Sequence, residues 1–489
     1  MIAAGVLALA SLACSPPEPT ATLACNALSV GAGSTDTSVL LVVVDTLRRD
    51  ALGAYGSTAR TPATDALARE GLRFDAAYAA APWTKPSVAS LFTAALPSQH
   101  RVATHFEARE LAGRRRPATD VLDARFETLA ERYRAAGFDT AAFVANPWLA
   151  AGYGFEQGFE RYDDSQAHWN SDAASLGALA RRWLSTHRAE APFFLYVHYL
   201  DPHRPYGPLD RERTLAAAEE IANDSRPVSA TAARRIRRQA TFADGSRAID
   251  AGLAPTLRLL ELAYLAGVER ADRDIGDLVA AARALPGETA IIVTSDHGES
   301  FFEHGDVENH GTSLYESEVA VPLVMTLPHV SPARARVSCP IGGEDLLPFL
   351  CHYSGLTCPA PSPVRAGRDR LSRAGPPSAA QRGVLFEGVS GAPRHRGVRL
   401  DRDVLLWEPD ATDGRPHYRL FDVVADPAQA HELLHAGDAS QREAARARLP
   451  RLEAELEAYP TPKLRAPRGP RAPLAPGLAE RLRALGYGE

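Results

Sequence analysis

Asp45, Asp296 and His297 are the residues best suited to chemistry in this 489-residue chain. Carboxylates with an imidazole make a usable ligand set for a divalent transition metal. Asp45 directly follows the apolar run 39–44, and Asp296-His297 follow the run 290–293 through Thr294-Ser295. A third run, 193–197, leads into His198-Tyr199-Leu200-Asp201-Pro202-His203. Any one of these aspartates alone reads as well as a turn or helix-cap residue. Three polar strand ends together point to a metal, because buried carboxylates are costly unless paired or metal-bound. Thr84, in Trp83-Thr84-Lys85-Pro86-Ser87, is the candidate nucleophile. It precedes a helix expected to start near Pro86, so its hydroxyl would face unsatisfied N–H groups that form an anion site. A plain N-cap threonine is the open alternative. Lys85 adds weight, since Arg outnumbers Lys 52 to 2 and the other lysine is Lys463. A compact ammonium can lower a neighbouring hydroxyl's pKa or bind a phosphoryl oxygen, although chance also explains a lone lysine.

The elements that must position these groups follow from periodicity. Residues 39–44, 140–144, 193–197 and 290–293 are continuous apolar runs, too short for helices and apolar on both faces, as in the interior of a parallel sheet. Helix-like stretches lie between them at 63–71, 126–137, 175–187 and 258–285. The alternation predicts an α/β fold with a large, mostly parallel sheet between helices. In such sheets the ligand site lies beyond the carboxyl ends of the strands. Residues 359–382 read as a linker, followed by strands near 383–386, 397–400, 404–407 and 417–421 and a helix over 440–457, a small α+β subdomain. The organisation is then 1–36 export signal and linker, 37–358 catalytic domain, 359–460 linker and small subdomain, and 461–489 an extended tail with a short helix near 477–485.

The apolar run 2–13 ends at Cys14 and suits an export signal rather than a bilayer span. Its small-residue approach to a cysteine resembles a lipoprotein signal, which would lipidate Cys14 and attach the chain to a membrane in the periplasm or cell envelope. No basic residue precedes the run, and a cleaved soluble signal is the alternative. The remaining Cys25, Cys339, Cys351 and Cys358 are even in number, and Cys351 and Cys358 are close enough for a local bridge. A formal net charge of −6 excludes nothing about small substrates but gives no reason to expect nucleic acid.

Taken in order, the segments resemble the sulfatase family of the alkaline phosphatase superfamily. Residues 41–56, through Asp45 to Leu52-Gly53-Ala54-Tyr55-Gly56, are similar to its opening strand and metal loop; 61–71 is similar to the helix that follows. Thr84-Lys85-Pro86-Ser87-Val88 lies on the Cys/Ser-x-Pro-x-Arg motif. Asp201-Pro202-His203, Ser295-Asp296-His297-Gly298-Glu299, Glu303-His304-Gly305, His310-Gly311-Thr312 and residues 418–427 complete the set. The departures carry the reading further. Threonine cannot become formylglycine, Val88 replaces the arginine, Thr46 replaces a second aspartate, and His297 stands where many sulfatases have Asn or Gln. Asp45, Thr84, Asp296 and His297 instead resemble the single-metal set of threonine-nucleophile relatives that transfer phosphoglycerol and phosphoethanolamine.

The resemblance implies a hydrolase of phosphate or sulfate esters, phosphodiesters preferred, with small-molecule, glycan or lipid substrates. Its metal set would be Asp45, Thr84, Asp296 and His297, holding one Mn²⁺ or Zn²⁺ in preference to Ca²⁺. Thr84 would attack and form a covalent intermediate, with Lys85, His203 and His310 binding oxygens or protonating the leaving group. His198 and His304 are further substrate-binding candidates, or core histidines. Asp50, Tyr55 and His100 are expected to be structural. Alternatives are a sulfatase without formylglycine, a phosphoryl transferase on envelope glycolipids, and a non-catalytic binding protein.

Overall fold

The computed structural model describes residues 21–30, 35–103, 107–111, 114–187, 191–207, 211–225, 253–305, 308–357, 367–371, 382–388, 395–409, 416–458, 470–474 and 477–478. Nine strands build the main sheet: β1 (Thr22–Leu23), β2 (Ser38–Val44), β3 (Leu72–Phe74), β4 (Asp139–Val144), β5 (Arg161–Asp163), β6 (Phe193–Tyr199), β7 (Thr289–Ser295), β8 (Leu323–Thr326) and β9 (Ala335–Val337). Their order is β1-β9-β3-β8-β7-β2-β6-β4-β5. All neighbours are parallel except β8, which opposes β7 and β3. The expected α/β architecture is therefore present.

The continuous apolar runs have a simple cause. Successive strand side chains point to opposite faces, and both faces are covered. Val39, Leu41 and Val43 enter one apolar layer with helices α2 (Thr84–Thr93), α3 (Leu129–Ala135) and α6 (Leu346–Tyr353). Leu40, Val42 and Val44 enter the other with α1 (Pro62–Glu70), α4 (Ala173–Thr186) and α5 (Leu253–Arg283). Each of these six strand residues is fully buried, and a polar substitution among them would lose a buried side chain's stabilisation of roughly 1.5–3 kcal/mol.

A separate four-stranded antiparallel sheet lies near the C-terminus: β10 (Val384–Gly388), β11 (His395–Leu400), β12 (Asp403–Pro409) and β13 (Pro416–Asp422). The helix expected over 440–457 is two, α7 (Ala439–Arg446) and α8 (Leu449–Glu457). The break falls before Pro450, which lacks an N–H and sits in the first turn of α8. Stacking of Phe386 on Tyr78, at 5.6 Å, joins this sheet to the main body.

The structure adds detail on the cysteines and on the tail. Cys25 pairs with Cys339 across 314 residues; Cys351 is buried, and Cys358, close enough in sequence for a local bridge to it, lies outside the described residues. Part of the supposed extended tail is strand: Arg471–Pro473 pairs antiparallel with residues 118–120 of the strand Arg114–Asp120. Cys14, the linker up to 366 and most of the segment expected as a terminal helix lie outside the described residues. Among the described residues, no helix is long and apolar enough to cross a membrane.

One buried carboxyl gives the fold a pH signature. Glu318 is fully buried and accepts from the Ser313 hydroxyl and from the Thr312 and Ser313 amides at 3.2 and 3.3 Å. Burial pushes its pKa up to about 8, against a usual 4.5. The folded protein thus holds a proton that the unfolded chain has released between those values. That contribution to stability is complete below pH ~4.5 and is lost as pH rises through ~8. Denaturation midpoints across this window should therefore fall for the wild type relative to Glu318→Gln, by an amount on the order of a few kcal/mol. Parallel pH profiles would refute the assignment.

Candidate active site

The register of the central strands sets the site. Val44 lies level with Tyr199 on one side and Ser295 on the other. The residues just beyond, Asp45 and Asp296-His297, therefore leave the sheet at the same height although some 250 positions separate them. Ser295 knits the two loops: its hydroxyl lies 2.6 Å from the carbonyls of Val44 and His297, and it accepts from the Leu47 amide at 3.0 Å. Thr46 takes a left-handed φ of 55°, turning the chain sharply after Asp45.

One oxygen or nitrogen from each of Asp45, Asp296 and His297 lies within 4.8 Å of the others, and all three residues are buried. His297 Nε2 is 3.6 Å from Asp45 Oδ1 and 3.6 Å from Asp296 Oδ2. Asp296 Oδ1 accepts from the His297 amide at 2.9 Å and the Thr46 amide at 3.3 Å. Two carboxylates this deep in the protein repel. Burial first, then the Asp296 charge, raises the Asp45 pKa well above the usual range. Burial opposes the Asp296 charge too, but the His297 and His198 imidazoles outweigh it and hold that carboxyl low. Asp45 Oδ1 and Thr46 Oγ1 are buried with no hydrogen-bond partner. Orphaned oxygens among a buried Asp/Asp/His set are what a bound cation satisfies, so these residues fit a divalent metal.

Thr84 is not an N-cap. It is the first residue of α2 after the cap Trp83, and its hydroxyl turns into the cluster instead. Thr84 Oγ1 lies 3.3 Å from His297 Nε2 and 3.5 Å from Asp45 Oδ2. The next turn explains its neighbour. Val88 is fully buried in the apolar layer, so the arginine of the sulfatase motif would be costly there.

The remaining candidates fall into two groups. His203 and His310 are at the site: the His310 ring is 4.5 Å from His297 and 5.1 Å from His203, centroid to centroid. His310 Nδ1 sits 3.1 Å from Glu299 Oε1. Burial, then His310, lowers the His203 pKa well below the usual imidazole range, so it is neutral at pH 7. Burial raises Glu299 to about 7. His198 lies within β6 and reaches Asp296 Oδ2 at 3.3 Å, a position that orients the carboxylate.

Lys85 and His304 are placed elsewhere than expected. The Lys85 ammonium is fully buried on the Thr119 hydroxyl, at 2.8 Å, and the Asp120 carbonyl, over the faces of Tyr153 and Trp148. Burial lowers its pKa to about 7. His304 stacks on Tyr315 at 3.5 Å, in a cavity of about 240 Å³ lined by Arg48, Asp50 and Glu316 but not by Thr84 or His297. Asp50, Tyr55 and His100 are engaged by Arg48, by the Leu323 backbone, and by Ser90 with the Pro86 carbonyl.

Asn146 was not anticipated. It follows β4 and the single residue Ala145, and its Nδ2 donates to Asp45 Oδ2 and, at 3.1 Å, to Thr84 Oγ1. Its Oδ1 accepts from the Trp148 amide, fixing which end of the amide faces the cluster. The available signal was its place just past a fourth buried strand, where Asp45 and Asp296 also stand.

A mostly parallel sheet with a buried Asp/Asp/His cluster beside a hydroxyl at its carboxyl edge defines a class of ester hydrolase. A family model described as Sulfatase matches residues 37–356, and the chain belongs to that family. Human iduronate 2-sulfatase is 26% identical over 364 residues, covering 64% of this chain and 62% of the relative. Two solved structures share the fold. One, determined with its substrate D-glucosamine-2-N,6-O-disulfate, gives a TM-score of 0.68 at 17% identity and covers 87% of this chain and 99% of that one. The phosphonate monoester hydrolase of Agrobacterium radiobacter gives 0.62 at 21% identity, covering 86% and 96%.

Proposed function

We propose that this sulfatase-family hydrolase cleaves phosphate esters, phosphodiesters in preference, with Thr84 as nucleophile. The observation that carries this is the aim of the Thr84 hydroxyl, which gives up helix capping to sit 3.3 and 3.5 Å from two members of the buried cluster. Asp45, Asp296 and His297 would hold one divalent ion, Mn²⁺ or Zn²⁺ from the mixed oxygen and nitrogen donors. When bound, that ion lowers the pKa of the hydroxyl and neutralises ester charge. Asn146 donates to Thr84 Oγ1, and the hydroxyl proton faces His297 Nε2 at 3.3 Å and Asp45 Oδ2 at 3.5 Å. The Thr84 oxygen attacks phosphorus, the P–O bond to the leaving group breaks, and His310 delivers a proton to the departing oxygen. Water then cleaves the phosphothreonine. Export and lipidation of Cys14 would place this chemistry at the cell envelope.

A sulfate ester on a glycan is the second reading, favoured by the named relative and by the disulfated glucosamine bound in one structural neighbour. A single experiment separates the two. Protein lacking residues 1–20 is given aryl phosphate mono- and diesters and aryl sulfates with Mn²⁺, Zn²⁺ or Ca²⁺, quenched, and digested for mass spectrometry. A phosphoryl adduct on the Thr84 peptide is expected. Activity confined to sulfates, or an adduct on another peptide, overturns the first reading.

A further inference from the structure

The C-terminal segment reaches the same site by a route the catalytic reading does not use. Its strand Arg471–Pro473 pairs with 118–120, and Pro470 accepts from the Val121 amide at 2.9 Å. Arg471 bonds Asp120 at 3.0 Å, both side chains nearly buried. The two residues paired with Arg471 and Ala472 are Asp120 and Thr119, whose carbonyl and hydroxyl hold the Lys85 ammonium. Leu478, 4% exposed, joins Trp83, Ala103 and Trp148 in one buried apolar cluster, with Leu474 packed against it. Trp83 immediately precedes Thr84, and Trp148 lies two residues past Asn146 and under the Lys85 ammonium. Strand pairing, a buried ion pair and an apolar plug thus converge on the residues flanking the nucleophile.

We propose that residues 470–474 with 477–478 act as a strap that positions the start of α2, with Arg471 and Leu478 as positioning residues for Thr84 through Asp120, Lys85 and the Trp83–Trp148 wall. This rests on the Thr84 reading for its catalytic consequence, though not for the docking itself. Among the described residues, the strap's pairing, ion pair and apolar packing fall on residues other than Asp45, Asp296 and His297, which leave the sheet on other elements. Releasing it therefore disturbs the hydroxyl and its wall while leaving the ion's ligands in place.

Lys85 and Lys463 are the chain's two lysines, so amine labelling read by mass spectrometry follows Lys85 individually and needs no turnover. Arg471→Ala and Leu478→Ser are expected to raise Lys85 labelling ~10-fold, to lower kcat ~10-fold with KM within ~2-fold, and to leave metal stoichiometry at the wild-type value, with Arg471→Lys recovering most of both losses. Either variant suffices if the other fails to fold. Labelling unchanged in the variants overturns the docking. Labelling raised with kcat intact, or a loss of bound metal together with general unfolding, overturns the positioning role. A wild type that hydrolyses no ester refutes the catalytic reading instead, and the labelling arm still decides whether the strap encloses Lys85.

Discussion

Thr84→Ala is expected to lower kcat at least ~10³-fold, about 4 kcal/mol of transition-state stabilisation, while the protein keeps its bound metal. The hydroxyl is the group proposed to form the covalent bond, and it sits between Asn146 Nδ2, His297 Nε2 and Asp45 Oδ2. The fold has little to lose, because Thr84 Oγ1 does not cap α2. Thr84→Ser keeps the oxygen and drops a methyl group, so it should retain measurable turnover and still give an adduct on the same peptide. Steady-state rates with elemental analysis of the same samples check this. An alanine variant retaining a tenth or more of wild-type kcat would falsify the nucleophile assignment.

The second large effect concerns the cluster itself. Asp45→Asn should remove most metal binding and lower turnover by roughly 10²-fold or more. It should also raise the melting temperature of the metal-free protein. In that state the wild type confines two carboxylates in one buried site, and the Asp45 carboxyl is the one forced upward by burial and by Asp296. An amide relieves the like-charge repulsion and keeps an oxygen for Asn146. Adding Mn²⁺ or Zn²⁺ at about 100 times its Kd should stabilise the wild type by ~2.7 kcal/mol and the variant hardly at all. Asp296→Asn should also lose the metal without the same gain, because Asp296 is the carboxylate already held charged by His198 and His297. Thermal scans with and without metal test both variants. Equal metal-induced shifts in variant and wild type would sink the ligand set.

Some of this was legible in the chain and some was not. The four interior strands stood out because residues buried on both faces leave uninterrupted β-branched and apolar runs, and polar residues begin where the sheet ends. Asp45, Asp296 and His297 were found that way. Asn146 escaped for want of a charge: an amide after Ala145 looks like any loop residue until its Nδ2 is seen on Asp45 and Thr84. Lys85 misled for the opposite reason. Proximity in sequence to Thr84 suggested a shared task, but successive residues of a helix project about 100° apart, and its ammonium runs to Thr119 and Asp120. His304 likewise shares a motif-like segment with the site and faces a different cavity.

Local patterning alone specified the classes of element, the sheet's buried interior and the residues offered at its carboxyl edge, because periodicity and burial leave marks within a few residues. Tertiary structure decided which of those offered groups meet. The Val44–Ser295 register brings Asp45 to Asp296, and antiparallel pairing brings Arg471 to Asp120 across the intervening domains. Those choices depend on contacts between segments hundreds of positions apart, and on the rotamer each side chain adopts once its neighbours are in place, neither of which any short stretch of the chain contains.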